Sequence, residues 1–136
     1  LASLLLGLAA CSLGGATALQ QGAGQQWPSP GGDGGKTHHS RLTAITPENV
    51  GQLGLAWAVD LGTMRGQEAT PVMVDGVLYT SGTTGRAYAF DAATGKELWR
   101  FEPEVDMQVN RTVCCDMVNR GVAVARGKVF VAALDG

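Results

Sequence analysis

Two short apolar runs that meet at a two-residue turn occur twice in the sequence, and this repeat restricts the fold more than any other feature. The turns are Asp75-Gly76 and Arg126-Gly127, and each separates two runs rich in valine. Both positions of such a turn need a positive φ, which is typical of tight β-hairpins. The turn glycines lie about 50 residues apart, and hairpin units at this spacing are typical of β-propellers. Further strands are expected at Ala87–Phe90 and Lys96–Phe101.

The composition favours an all-β fold with many tight turns. Glycine accounts for 20 of the 136 residues, and charged residues make up 16%, against about 25% in an ordinary soluble domain. The hydrophobic content of 45% is enough to bury a core. A net charge of −2 provides no cationic field for nucleic acid, so we expect no nucleic-acid partner.

The first ten residues are almost purely apolar, like the central region of a secretory signal peptide. Ala16-Thr17-Ala18 fits the rule for cleavage after a small residue, so we expect residues 1–18 to be removed. Leu8 to Cys11 also resembles a bacterial lipobox, and a lipidated Cys11 would tether the protein to the membrane. A retained anchor is less favoured, since a spanning helix needs roughly 20 apolar residues. Either form of processing predicts a periplasmic protein.

The remainder divides into two parts. Residues 19–35 are rich in Gln, Gly, Pro and Ser and predict an irregular segment, and the strand-forming region covers residues 36–136. The chain begins at Leu1 and its final apolar run stops at Gly136 with no closing element. Because a propeller needs four or more blades, we expect this chain to be part of a longer protein.

The segment Ala89-x-Asp91-x-x-Thr94-Gly95-x-x-x-Trp99 joins two of the expected strands. The side chains of Asp91 and Thr94 can bond the backbone of the turn. Trp99 is large enough to fill the gap between neighbouring sheets. We therefore expect these residues to build the blades and to take no part in chemistry.

Together with other segments, this motif resembles the quinoprotein alcohol dehydrogenases, which use pyrroloquinoline quinone (PQQ). The resemblance implies the N-terminal part of an eight-bladed quinoprotein β-propeller. It also implies oxidation of an alcohol to an aldehyde or ketone, with electron transfer to cytochrome c or a blue-copper protein. The matching segments are Gly31-Gly32-Asp33 with Ser40-Arg41-Leu42, the first strand region Asn49–Trp57, Arg65–Pro71, Ala89–Trp99 and Cys114–Gly121.

The adjacent cysteines Cys114 and Cys115 allow a disulfide, two thiols or one half of a metal site. A metal site usually needs C-x-x-C spacing and further ligands. Consecutive Cα atoms lie about 3.8 Å apart, below the usual disulfide range, so a bond between neighbours is strained. It also closes almost no loop and would constrain little of the unfolded chain. The resemblance implies that Cys114 and Cys115 do form a disulfide, which covers one face of PQQ.

The resemblance also assigns two charged residues to the rim of the cofactor. It places Arg120 against the quinone oxygens and Glu68 at a PQQ carboxyl group. A surface arginine and a solvated loop carboxylate are the alternative interpretations. The alternation of Val118, Val122 and Val124 around Arg120 favours an inward role.

The same family uses a general base and calcium ligands that lie in later blades, so we expect them beyond Gly136 and none in this chain. A non-enzymatic envelope propeller lipoprotein, acting as a scaffold for outer-membrane assembly, is the alternative function. The lipobox-like sequence at Cys11 favours that alternative. The adjacent cysteines and the segment Arg65–Glu68 argue against it, because a scaffold needs no cofactor rim.

Overall fold

A computed structural model of the protein describes residues 26–113 and 115–136. A four-stranded antiparallel sheet has the order β1-β2-β3-β4, and a separate hairpin pairs β5 with β6. The predicted leader at residues 1–18 lies outside the described residues. The strands are β1 (Val72–Val74), β2 (Val77–Ser81), β3 (Ala87–Asp91), β4 (Glu97–Phe101), β5 (Ala123–Ala125) and β6 (Lys128–Phe130), and 3₁₀ turns lie at Val50–Gln52, Thr83–Gly85 and Met107–Arg111.

Both hairpin turns have the backbone conformation that the sequence predicts. Asp75 and Gly76 have φ values of 52° and 76°, and Arg126 and Gly127 have values of 51° and 70°. Positive φ at both positions matches the right-handed twist of the flanking strands. The antiparallel pairing of β1 with β2 and of β5 with β6 is therefore confirmed.

The β5–β6 hairpin packs over one face of the four-stranded sheet. Val72 and Ala87 from the sheet form a buried cluster with Val122, which directly precedes β5. Alternate residues of a strand point to opposite faces, so one set from each strand meets the hairpin. The partly buried side chains around this cluster are Tyr79, Val124, Val129 and Val131.

The other face of the sheet is covered by the segment that contains Trp57. Tyr88 and Phe90 of β3 point to this face, and their rings stack with centroids 6.0 Å apart. The ring of Trp57 lies 6.4 Å from that of Phe90. Because both faces are covered, the four residues from Ala87 to Phe90 are at most 2% exposed. The sheet thus lies between two neighbouring chain segments, as a propeller blade does.

The first strand region expected at Asn49–Trp57 differs from the structure. Val50–Gln52 forms a 3₁₀ turn, and the described residues between 53 and 71 form no strand. A strand requires a neighbour for its backbone hydrogen bonds, and the described chain places none beside this segment. Within the described residues the only isolated β-bridge is formed by Trp27, which pairs with Met73 of β1. No helix in the described part of the chain is long and apolar enough to cross a membrane.

Candidate cofactor site

Glu68 and Arg120, the two charged residues singled out in the sequence, lie side by side. The Nε atom of Arg120 lies 3.3 Å from the Oε2 atom of Glu68. Glu68 belongs to the extended segment before β1, and Arg120 precedes β5. Their side chains are 45% and 79% exposed, so the pair itself contributes little stability. The structure therefore brings together an acid and a base separated by 52 residues in sequence.

The two segments that carry this pair are joined through their backbones. The N–H of Thr70 donates to the carbonyl oxygen of Arg120 across 3.3 Å. The next residue, Gly121, has a φ of 137°, and a Cβ atom there would lie 3.2 Å from the oxygen of Thr70. Glycine is needed here both for its backbone conformation and for this close approach.

A second ion pair joins the same two segments. The guanidinium of Arg65 contacts the carboxylate of Asp116. Cys115 and Asp116 both have positive φ, at 71° and 70°, a conformation that costs of order 1–3 kcal/mol at each non-glycine residue. The following residue, Met117, is fully buried and accepts a hydrogen bond from the N–H of Thr84. These contacts fix the strained turn at Asp116 and at the residue that follows it.

Cys115 and Arg120 line one open cleft of about 510 Å³. Cys114 lies outside the described residues, so its predicted disulfide with Cys115 stays a prediction. The remaining wall of the cleft is mostly apolar and is formed by Gly85, Val113, Val118, Ala132, Ala133 and Leu134, with Asp116 and Asn119 adding polar atoms.

These residues are chemically compatible with part of a PQQ site. PQQ is a planar ring system with three carboxylates and an ortho-quinone, so it needs an apolar surface beside its rings and donors at its rim. The cleft offers the apolar surface. Within the described part of the chain the terminal Nη atoms of Arg120 make no hydrogen bond. A guanidinium with open donors is well suited to carboxylate or quinone oxygens.

The environment of Arg120 differs from the buried strand that the valine alternation suggests. Val118 and Arg120 lie in an irregular segment, and β5 begins only at Ala123. The Arg120 side chain points to the open cleft and is largely exposed. The local reason is the turn at Gly121, which interrupts the two-residue alternation on which that expectation rests.

Asn119 is a polar residue of the cleft for which the sequence predicts no role. Its Oδ1 atom accepts from the hydroxyl of Ser81 at 2.6 Å and from the N–H of Gly121 at 3.1 Å. Its Nδ2 atom donates to the carbonyl oxygen of Ala132 at 2.7 Å. The bond to Gly121 has a sequence signal, since an asparagine two residues before a glycine is typical of an Asx turn. The other two bonds have none.

The described residues contain no metal site. No group of three His, Cys, Asp or Glu side chains in residues 26–113 and 115–136 lies close enough to hold a metal ion. His38 and His39 are exposed and lie far along the chain from the cleft.

Comparison with known proteins decides the family. The model of the PQQ family, described as the glucose/ethanol/alcohol dehydrogenase β-propeller domain, matches residues 27–133. The chain belongs to this family. Its all-β fold and its assignment to an N-terminal part of a quinoprotein propeller are thereby confirmed.

Two relatives illustrate the similarity in sequence. The chain is 49% identical over 114 residues to the 1-butanol dehydrogenase (cytochrome c) of Thauera butanivorans, covering 84% of this chain and 16% of that protein. It is 53% identical over 114 residues to the quinohemoprotein alcohol dehydrogenase ADH IIB of Pseudomonas putida, with the same coverage of both chains. The chain thus spans about one sixth of the length of these family members.

Solved structures of family members give the same result. The quinohemoprotein alcohol dehydrogenase ADHIIG of Pseudomonas putida HK5 matches with a TM-score of 0.81 at 47% identity, over 88% of this chain and 17% of that one. A europium-containing methanol dehydrogenase matches with a TM-score of 0.74 at 33% identity, over 86% and 21%. All of these relatives are dehydrogenases, so the alternative of a scaffold lipoprotein receives no support from them.

Proposed function

We propose that the full-length protein is a PQQ-dependent alcohol dehydrogenase and that this chain supplies one part of its cofactor pocket. The observation that carries the proposal is the position of Arg120, which is paired with Glu68 at the edge of a mostly apolar cleft. The membership of the family gives the class of cofactor. The names of the relatives support an alcohol as the substrate and cytochrome c as the electron acceptor.

In this proposal the residues of the chain bind and orient the cofactor. When bound, PQQ supplies a quinone that accepts the two electrons released as an alcohol becomes an aldehyde or ketone. Arg120 would donate from its Nη atoms to the quinone oxygens. Glu68 would fix the guanidinium and would bond a carboxyl group of the ligand through a proton held by one of the two acids. Cys115, joined to Cys114 by a disulfide, provides a polarisable surface for one face of the rings.

The complete reaction needs groups that this chain does not contribute. Oxidation of an alcohol releases two electrons and two protons, and two molecules of a one-electron acceptor such as cytochrome c take the electrons. We assign the general base and the calcium ligands to residues after Gly136. One structural relative contains europium, so a lanthanide is the metal to test beside calcium. The comparisons give no support for a blue-copper acceptor or for a membrane tether at Cys11.

The test uses the full-length protein, prepared without cofactor and titrated with PQQ. We expect saturable binding, followed by alcohol-dependent reduction of cytochrome c. Arg120→Ala should weaken PQQ binding about 10-fold or more, because hydrogen bonds to charged groups contribute about 1.5–3 kcal/mol. Glu68→Gln should have a smaller effect, since it retains a hydrogen-bonding oxygen.

Arg41→Ala is the matched control. Arg41 is an exposed arginine on a separate cleft beside Trp27, and its removal should leave PQQ binding unchanged. Absence of PQQ binding by the wild type would refute the proposed function. Equal effects of the two arginine substitutions would remove Arg120 from the site and leave the family assignment intact.

A further inference from the structure

The amide of Asn119 connects three separate segments of the chain at the wall of the cleft. Its oxygen accepts from Ser81 at the end of β2 and from Gly121, and its nitrogen donates to Ala132 beyond β6. The orientation of the amide is determined by these partners. A flipped amide would point its NH₂ group at the N–H of Gly121 and its oxygen at the carbonyl of Ala132.

Hydrogen bonds fix both ends of the peptide unit that follows Arg120. The bond from Gly121 N–H to Asn119 Oδ1 closes an Asx turn in which Arg120 is the central residue. The carbonyl oxygen of the same peptide unit, that of Arg120, accepts from the N–H of Thr70. The backbone of Arg120 is therefore held between two segments while its side chain extends into the cleft.

The side chain of Arg120 has little support of its own. It is 79% exposed, and among the described residues it contacts only Glu68 through a hydrogen bond. Ser81, by contrast, is 1% exposed, so its bond to Asn119 is anchored in the core. The direction of the guanidinium thus depends on the position of its backbone more than on packing around it.

We propose that Asn119 is a positioning residue, anchored by Ser81, that directs the guanidinium of Arg120 toward an acidic planar ligand in the cleft. The inference rests on the proposed function, with PQQ as that ligand. Within the described residues the amide oxygen of Asn119 accepts two hydrogen bonds and its nitrogen donates one, so the amide is held by the protein. Asn119 acts through Arg120.

A double-mutant cycle in the full-length protein tests this role, with the dissociation constant of PQQ as the readout. Asn119→Ala should weaken PQQ binding about 10-fold in the presence of Arg120 and less than about 2-fold in an Arg120→Ala background, because coupled residues are not additive. Ser81→Ala should produce the same pattern with a smaller loss, since it retains the Asx turn.

Thr80→Val is the matched control for Ser81→Ala. It removes a buried hydroxyl from the neighbouring position of β2, where the side chain points to the opposite face of the sheet. It should leave PQQ binding unchanged. Unfolding temperatures measured without PQQ separate loss of fold from loss of binding. If Asn119→Ala does not fold, the double-mutant cycle is carried out with Ser81→Ala and Arg120→Ala instead.

The outcomes distinguish the inference from the function on which it rests. Equal losses from Asn119→Ala or Ser81→Ala with and without Arg120 would overturn the positioning role, since a purely structural contribution is additive. The proposed function would then stand on wild-type PQQ binding. If the wild type bound no PQQ, the function and the inference would both be refuted.

Discussion

The indole nitrogen of Trp57 donates a hydrogen bond to the carbonyl oxygen of Ala92 across 3.1 Å. Ala92 lies in the turn between β3 and β4, and this bond closes a contact between residues 35 apart in sequence. The indole ring lies so close to Gly95 that a Cβ atom there would stand 2.6 Å from it. The tryptophan of one segment thus covers the turn between two strands of the sheet.

Gly95→Ala should destabilise the full-length protein by about 2–4 kcal/mol, because it adds a steric clash to the cost of a positive φ. The φ of Gly95 is 72°. Gly76→Ala is the matched control, since Gly76 has a φ of 76° and open space where a Cβ would be. It should cost about 1–2 kcal/mol. Unfolding in denaturant measures both, and equal costs would contradict the packing of Trp57 on this turn.

Asp91 should contribute to a pH dependence of stability. The hydroxyl and the N–H of Thr94 donate to Asp91 and hold the pKa of its carboxyl group below the ordinary value. Since the folded-state pKa is the lower one, the contribution is complete above the unfolded-state pKa of about 4 and is lost as the pH falls through the folded-state value.

The measurement compares the unfolding temperature of the wild type with that of Asp91→Asn across this range. The difference between them should be constant near neutral pH and should shrink in acid below about pH 4. Thr94→Val removes the donating hydroxyl. In this variant the difference in unfolding temperature that Asp91→Asn produces should therefore be smaller, because Asp91 loses one of its donors. If the difference in unfolding temperature between the wild type and Asp91→Asn were unchanged from neutral to acidic pH, the ionised carboxylate of Asp91 would not contribute to stability.

Substitutions at Asp116 separate two contributions to stability, that of its ion pair with Arg65 and that of its positive φ. Asp116→Asn and Asp116→Ala both remove the negative charge that pairs with Arg65, an ion pair that at partial exposure contributes about 0–1 kcal/mol. Only alanine is also poorly suited to the φ of 70°, since asparagine is enriched at positive φ. The alanine variant should therefore be less stable than the asparagine variant by about 1 kcal/mol. Equal unfolding temperatures would indicate that the turn relaxes when the ion pair is lost.

Replacement of Cys114 and Cys115 by serine tests the predicted disulfide. A bond between adjacent residues constrains almost none of the unfolded chain, so its loss should leave the unfolding temperature nearly unchanged. Retention of PQQ during dialysis should fall. Mild reductant should have the same effect on the wild type, because a strained disulfide is unusually reducible. Full PQQ retention in the double variant would remove both cysteines from the proposed site.

Mass spectrometry of the mature N-terminus tests the predicted leader. Cleavage after Ala18 predicts Leu19 as the first residue of the exported protein. An acylated Cys11 at the terminus would instead establish the lipoprotein form, and an N-terminus that retains residues 1–18 would exclude both.

Features that depend on neighbouring residues could be predicted from the sequence. Asp75-Gly76 and Arg126-Gly127 define their turns by local backbone preference, and the strands on either side follow from them. Contacts between distant segments have no such local signal. The bond between Trp57 and Ala92 is one example. The family resemblance places Glu68 and Arg120 at the rim of one cofactor, but the contact between the two side chains has no signal in the sequence, because it depends on how the second hairpin packs against the first.

The same limit applies to Asn119. Its Asx turn with Gly121 is a local pattern, but its bonds to Ser81 and Ala132 join residues 38 and 13 positions away. The prediction of a strand at Asn49–Trp57 was wrong for a related reason. Apolar spacing can predict that a segment is extended, whereas pairing depends on whether another strand lies beside it.

The close approach of Gly121 to Thr70 has a consequence for engineering the cofactor pocket. Main-chain atoms alone separate the two segments that carry Arg120 and Glu68. A side chain at Gly121 would press its Cβ atom against the oxygen of Thr70 at a strained φ of 137°. The length of the two side chains is therefore the direct means of changing how far the rim reaches toward a larger or smaller quinone, by variants such as Arg120→Lys or Glu68→Asp.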